Sequence, residues 1–439
     1  MTEGRIIEGF SRLSREEKIR LIASHTSHPG NFIRELKDHW HPDPSRQHAY
    51  EEFTENTVSN YFLPLGFAPN FKINGSDYIV PMVTEESSVV AAAASAAKFW
   101  WPLGGFTSRV SEKDKPGHIH LIWKGDHQEI RDFTASLIPG FRDVTGPLTG
   151  NMNKRGGGIL AIRLKDCTND LSGYYQIEVL FNTGDAMGAN FINTCLEIMA
   201  GYLQQEADRS GISDRLEIIM SILSNYTESC RVECMVSCHV NDLSRLHPGV
   251  DGVEFARKFE TAVLIAGNNV HRAVTHNKGI YNGIDAVLLA TGNDFRAAEA
   301  AGHAWASRDG TYRGLTRVEV NYPVFTCKID IPLSVGVVGG LTSSHPMARL
   351  SLDLLGNPDA GGLMGVAAAV GLANNFSAVK SLITGGIQKG HMRLHLVNLL
   401  NRLGATEGEK SMAVDFFRNK VVTAASVEKY INYLRNETR

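Results

Sequence analysis

Hydrophobic positions along the chain switch between a period of two and a period near 3.6, and the switches outline its elements. Ser14 and Glu17 form an S-x-x-E box ahead of Ile19, Leu21 and Ile22, which predicts a helix over 15–24. The stretch ENTVSNYFLPLGFAPNFKINGSDYIVPM reads as a loop and then short strands turning at Asn74-Gly75. An alanine-rich run follows Thr84 and predicts a helix with Glu85 and Glu86 in its first turn, where the helix dipole favours the carboxylate form. From Gly117 to Tyr226 the runs HIHLIW, EIRDFTASLI, GILAIRL, YYQIEVLF, NFINTCLEIMAGYLQQEADR and RLEIIMSIL give the order β-α-β-β-α-β. That is the order of a ferredoxin-like split βαβ unit. Beyond it come a strand carrying Cys230, Cys234 and Cys238, a helix around 253–268, another at 295–307, and two strands meeting at Asn321-Tyr322-Pro323. A long helix over 359–384 is apolar nearly all round, as a central helix would be. The tail has glycines at its root and amphipathic helices after them, the composition of a hinged lid.

A chain of 439 residues, 43% hydrophobic, can bury a large core in two or three domains. The net charge of -3 gives no global basic field, so a nucleic-acid partner has no electrostatic support. No apolar run approaches the ~20 residues of a membrane span, and the first residues alternate charges where a signal peptide is apolar. This predicts a cytoplasmic protein without a membrane partner. The six cysteines form no C-x-x-C pair, so reduced thiols are expected. Even spacing puts Cys230, Cys234 and Cys238 on one face of a strand with His239 on the other, which argues for packing over a metal site. His391 and His395 share a helical face, but Met392 stands where a metalloprotease motif needs glutamate, so no metal is expected there either.

The densest chemistry is in HRAVTHNKGIYNGIDAVLLATGNDFR, from His271 to Arg296. Its apolar run Ile284 to Ala290 is closed by Lys278 and Asn282 before it and by Asn293, Asp294 and Arg296 after it. Two readings stay open: a lysine and an aspartate meeting beside a pocket, or an ordinary ion pair capping a strand. In GDAMGAN, between strand and helix, Asp185 is the expected N-cap, and small residues let a ligand reach the backbone. NMNKRGGG sets Lys154 and Arg155 beside three glycines. Either loop suits phosphate or is a plain turn, and neither fits the G-x-G-x-x-G pattern.

Taken together, LPLGFAPNF, VPMVTEESSVVAAA, GDAMGAN, HRAVTHNKGIYNGIDAVLLATGND, GVVGG with the HP of TSSHP, and GLANNFSAV followed by GIQKGHM resemble the hydroxymethylglutaryl-coenzyme A reductase family, most closely its soluble bacterial (class II) branch. The resemblance implies an α+β fold: a large mixed α/β domain at 1–113 and 227–384 around the long helix, an inserted cofactor domain at 114–226, and a small helical flap at 385–439. It implies a four-electron reduction of 3-hydroxy-3-methylglutaryl-CoA to mevalonate and free CoA with NADPH or NADH, or the reverse. A homodimer with active sites at the subunit interface, or a higher oligomer, goes with it. Carried over by position, the catalytic residues are Glu86, Lys278, Asp294 and His391. Substrate contacts fall on Ser88, Arg272, Asn282 and Asn374, and cofactor contacts on Asp185, Met187, Gly188 and Asn190.

Asn374, Phe295 and Ser59 depart from the family's usual glutamine, threonine and glycine. In the cofactor loop, Gly146 precedes Pro147 where NADH-preferring members carry an acid that binds the ribose diol. With Lys154 and Arg155 nearby, this favours NADPH. The alternatives are a catalytically inactive CoA-binding relative and a reductase of another acyl-CoA thioester.

Overall fold

The computed structural model describes residues 6–437 except 155, 247–248, 385–395, 418–419 and 421. Residues 1–64 and 65–439 separate into two units. In the first, α1 (Arg15–Ala23), α2 (Pro29–Asp38) and α3 (Pro44–Glu51) are short helices. Ser14 caps α1 through the expected reciprocal box with Glu17.

The second unit opens with β1 (Leu65–Ile73) and β2 (Ser76–Val83), joined by Asn74 and Gly75, both left-handed as a tight two-residue hairpin requires. Next come α4 (Val89–Trp100), β3 (Thr107–Val110) and β4 (Asp114–Trp123). Then follow α5 (His127–Asn153), β5 (Gly158–Asp166), β6 (Tyr174–Asn182), α6 (Ala189–Arg209) and β7 (Leu216–Leu223). Strands β4 to β7 form an antiparallel sheet in the order β5-β6-β4-β7. Helices α5 and α6 pack on it around Phe141, Ile177, Leu196 and Met199. Helix α5 runs further than its sequence suggests: Gly146 and Pro147 lie inside it, not in a loop.

The chain continues with β8 (Arg231–His239), α7 (Gly252–Asn268), α8 (Val270–Ala290), α9 (Phe295–Ala306), β9 (Thr316–Asn321) and β10 (Val324–Pro332). A second antiparallel sheet runs β3-β8-β10-β9, with Cys234 and Cys327 facing the core. After α10 (Gly340–Ser344) and α11 (Pro346–Leu354) comes α12 (Ala360–Thr384). This helix is long and apolar enough to cross a membrane, which corrects the reading that no run approaches a span, yet its apolar window is 89% buried in the protein. Its alanines and glycines let neighbours close in. Ile280 and Ile284 of α8 press on Gly371, while Trp100 and Phe259 lie with ring centroids 5.1 Å from Phe376. Such aromatic contacts add about 1 kcal/mol each beyond burial. Among the described tail residues, Leu396, Leu400, Phe417, Val427 and Ile431 form a small core of their own.

Candidate active site

The stretch 270–290 is one helix, α8, where the apolar run had admitted a strand. Its buried side is anchored by amides and a histidine. Asn277 donates to Arg313 O at 2.9 Å and accepts from Leu315 N at 2.9 Å, and Asn375 of α12 donates to His276 O at 3.1 Å. The His276 ring bonds Thr316 Oγ1, whose hydroxyl reaches Asn375 Oδ1 at 3.2 Å. Burial, then the Arg272 charge, pushes His276 down to about 3, so the ring is neutral. With that side fixed, Lys278 and Asn282, one turn apart, share an outer face.

Lys278 Nζ pairs with Glu86 Oε2. The two side chains are 58% and 37% exposed, so solvent screens the pair and it adds little to stability. Glu85 and Glu86 precede α4 instead of forming its first turn, because the helix begins only at Val89. Thr84 Oγ1 takes the Glu86 amide at 3.2 Å, and Ser88 follows in a left-handed conformation at φ 78° without capping the helix. A left-handed serine costs of order 1 kcal/mol and persists where the surroundings hold it. Arg272, in the first turn of α8, is half-buried, and its guanidinium makes no hydrogen bond or ion pair among the described residues. Asn282 makes none either, whereas Asn374 is buried against Gly283 and donates to Val370 O at 3.4 Å.

Asp294 is elsewhere. Its carboxylate caps α9, accepting from Arg296 N at 3.1 Å, Ala297 N at 3.2 Å and Arg296 Nε at 3.2 Å. Lys278 stands roughly 18 Å before the end of α8 at 1.5 Å per residue, so the helix itself holds the two residues apart. Beside Asp294, Asn293 Oδ1 accepts Gly336 N at 2.7 Å, and a β-carbon on Gly336 would come within 2.4 Å of Met187 N. Asp294 thus belongs to the end of the protein that carries GDAMGAN.

In that loop Asp185 does not cap α6, whose N-cap is Gly188 at φ 87° with no side-chain cap. Its carboxylate accepts Ala360 N at 3.0 Å, at the start of α12, and lies 3.9 Å from Lys113. Met187 is half-buried and Asn190 exposed. The uncapped start of a 21-residue helix offers free amides to a phosphate, so this corner fits a dinucleotide. Lys154 is exposed at the end of α5, and Gly157 abuts Asn182 O at the root of the same loop. Arg155 and His391 lie outside the described residues.

Sequence reasoning missed Lys115, His276 as an anchor, and Asp285. Lys115 had a signal, a lysine at the inward parity of strand 114–123. Asp285 is half-buried, and its Oδ1 has no partner among the described residues; burial, then Glu299, pushes its carboxyl up to about 8. Periodicity alone does not distinguish it from a surface aspartate.

A family model described as Hydroxymethylglutaryl-coenzyme A reductase matches residues 14–396. The chain is 34% identical over 414 residues to the 3-hydroxy-3-methylglutaryl-coenzyme A reductase of Archaeoglobus fulgidus, spanning 93% of this chain and 90% of that one. It is 34% identical over 360 residues to the probable 3-hydroxy-3-methylglutaryl-coenzyme A reductase of Borreliella burgdorferi, spanning 81% and 80%. A solved 3-hydroxy-3-methylglutaryl-coenzyme A reductase from Streptococcus pneumoniae matches with a TM-score of 0.72 and 33% identity over 98% of this chain and all of that one. A second structure, the class II enzyme of that organism bound to NADPH in open conformations, matches at 0.71 and 33% over 87% and 100%. Each of these four is named as a reductase. The chain belongs to the hydroxymethylglutaryl-coenzyme A reductase family.

Proposed function

We propose that the protein reduces 3-hydroxy-3-methylglutaryl-CoA to mevalonate and free CoA with two hydrides from NADPH or NADH, and catalyses the reverse reaction. The observation that carries this is one helix presenting Lys278, paired with Glu86, together with Arg272 and Asn282, whose side chains have no partner among the described residues. The Arg272 guanidinium takes the carboxylate of the acyl group, and Asn282 and Ser88 orient it. Asn374, at a substrate position where the family usually has glutamine, acts from behind by packing on Gly283. The bound dinucleotide supplies the hydride. As the thioester carbonyl becomes an oxyanion, the Lys278 ammonium stabilises it. His391 protonates the leaving thiolate, and Glu86 gives its proton to the aldehyde oxygen in the second reduction.

Asp185, Met187, Gly188 and Asn190 hold the dinucleotide with Lys154 and Arg155, in an inserted ferredoxin-like unit at 114–226. Substrate is held by the surrounding domain, 1–113 and 227–384, and the flap at 385–439 closes over it. Because α8 keeps Lys278 from Asp294, two copies form the site: Glu86 and Lys278 of one subunit meet Asp294 and the cofactor loop of the other. All six cysteines are unpaired, which supports a reducing, cytoplasmic setting. Glycine at 146, where NADH-preferring members carry an acid, supports NADPH over NADH, though the residue sits in helix α5.

Dihydronicotinamide absorbance at 340 nm, with each cofactor and with the hydroxymethylglutaryl, succinyl and acetoacetyl thioesters, tests this reading. Turnover of the first thioester with a preference for NADPH is the expected result. Faster turnover of another thioester overturns the substrate, a strong NADH preference overturns the cofactor choice, and no turnover by purified protein favours an inactive CoA-binding relative.

A further inference from the structure

Lys115 lies on β4 where the inserted sheet meets the rest of the unit, and it is only 4% exposed. Its Nζ donates to Thr183 Oγ1 at 2.6 Å, Ala186 O at 2.8 Å and Met187 O at 2.9 Å. Three acceptors need three donors, which an ammonium has and a neutral amine lacks. No carboxylate bonds it among the described residues, so the ammonium is spent on the loop alone. Drawing the carbonyl of Met187 inward turns the Gly188 amide, on the opposite edge of that planar peptide, away from it, while the Met187 amide lies against Gly336. Gly188 then enters α6 in the left-handed region, so close to Thr183 that a β-carbon would lie 2.4 Å from its methyl. Thr183 Oγ1 donates onward to Ala186 O at 2.6 Å and closes the turn.

We propose that Lys115 is a positioning residue for the dinucleotide: a buried latch that sets the loop 183–188 in its phosphate-binding conformation. This rests on the cofactor site proposed above. Lys115 does not touch the cofactor itself. Burial pulls its amine down to about 8, against Cys230 and Asp185, which raise it, and with Lys113, which lowers it further. The latch therefore weakens as pH rises through that value.

The test uses the full-length protein and titrates NADPH and, separately, hydroxymethylglutaryl-CoA by calorimetry for wild type, Lys115→Met and Lys115→Arg. Lys115→Met is expected to raise the Kd for NADPH about tenfold, with the thioester Kd within about twofold, and Lys115→Arg to recover most of the loss. The wild-type Kd for NADPH should climb between pH 7.5 and 9 while that of the methionine variant stays flat, a readout that needs no folded variant for its first half. Equal loss for both ligands, or unchanged NADPH binding by a variant with wild-type circular dichroism, overturns the proposal. Amide hydrogen exchange of residues 183–190 separates it from the cofactor reading. If wild type binds neither nicotinamide, that reading fails; faster exchange in Lys115→Met still supports the latch, and unchanged exchange overturns it.

Discussion

Acid should weaken this protein through His276 before it titrates its surface carboxylates. The ring is 1% exposed, bonds Thr316, and leaves its Nδ1 without a partner among the described residues, so the folded state keeps it neutral down to about 3 while the unfolded chain accepts a proton near 6.5. Below 6.5 the unfolded state therefore binds more protons, and stability falls as pH falls through that window, being fully present above it. At pH 5 the cost is about 2 kcal/mol, and at pH 3 it is about 4 kcal/mol. Urea unfolding followed by tryptophan fluorescence at pH 7 and pH 5 measures it, with His276→Gln as the control that keeps a donor toward Thr316 but does not titrate. Wild type should lose about 2 kcal/mol more than the variant over those two pH units. Equal losses in the two proteins would refute the buried, neutral assignment.

Four further outcomes follow. Asp285 keeps its proton in the folded state up to about 8, while an unfolded aspartate ionises near 4, so it lowers stability as pH rises between those values; Asp285→Asn should flatten the unfolding free energy from pH 5 to 8, and an unchanged slope contradicts the assignment. Lys278→Ala and Asp294→Ala should each be inactive alone, yet unfolded and refolded together they should regain about a quarter of wild-type activity, because half of the dimers carry one intact site; no recovery would place both residues in a single chain's site. His391→Ala should slow thioester reduction at least about a hundredfold and largely spare reduction of added mevaldehyde, which has no thiolate to protonate; equal loss in both reactions denies it the role. Phe376→Ala should cost about 4 kcal/mol in unfolding experiments, since it empties the ring cluster between Trp100 and Phe259.

Elements with a strong period or strong punctuation were legible. The box at Ser14, the Asn74-Gly75 hairpin and the long helix 360–384 lie where the residues put them. Errors gathered where helix and strand compete or where tertiary contacts reassign a polar side chain. Gly146 and Pro147 look like a loop, yet the helix runs through them, its Thr145 hydroxyl returning to Phe141 O at 2.8 Å. Asp185 looks like a local cap, but Gly188 takes that position and frees the carboxylate for a helix 175 residues away. Single-sequence reasoning has no access to such a partner. Residue types at the candidate site were legible through resemblance, whereas the physical roles of Lys115, His276 and Asp285 depend on burial that no local pattern encodes.

The consequential difference is that 270–290 is a helix. A strand-like run with polar ends invites Lys278 and Asp294 to meet at one pocket, but a helix fixes them by its rise, and the turn Thr291 to Asn293 sends Asp294 off to cap α9 near Met187. Each end then serves a different need. The Lys278 end keeps Glu86, Arg272 and Asn282 open on its outer side while His276 and Asn277 grip the core. The Asp294 end sits with the Lys115 latch and the uncapped start of α6. As the half-sites proposed above, two ends separated by a rigid helix do no chemistry within one chain, since a hydride crosses only about 3 Å between donor and acceptor. On the proposed reading, dimerisation is therefore a catalytic requirement, set by the length of one helix.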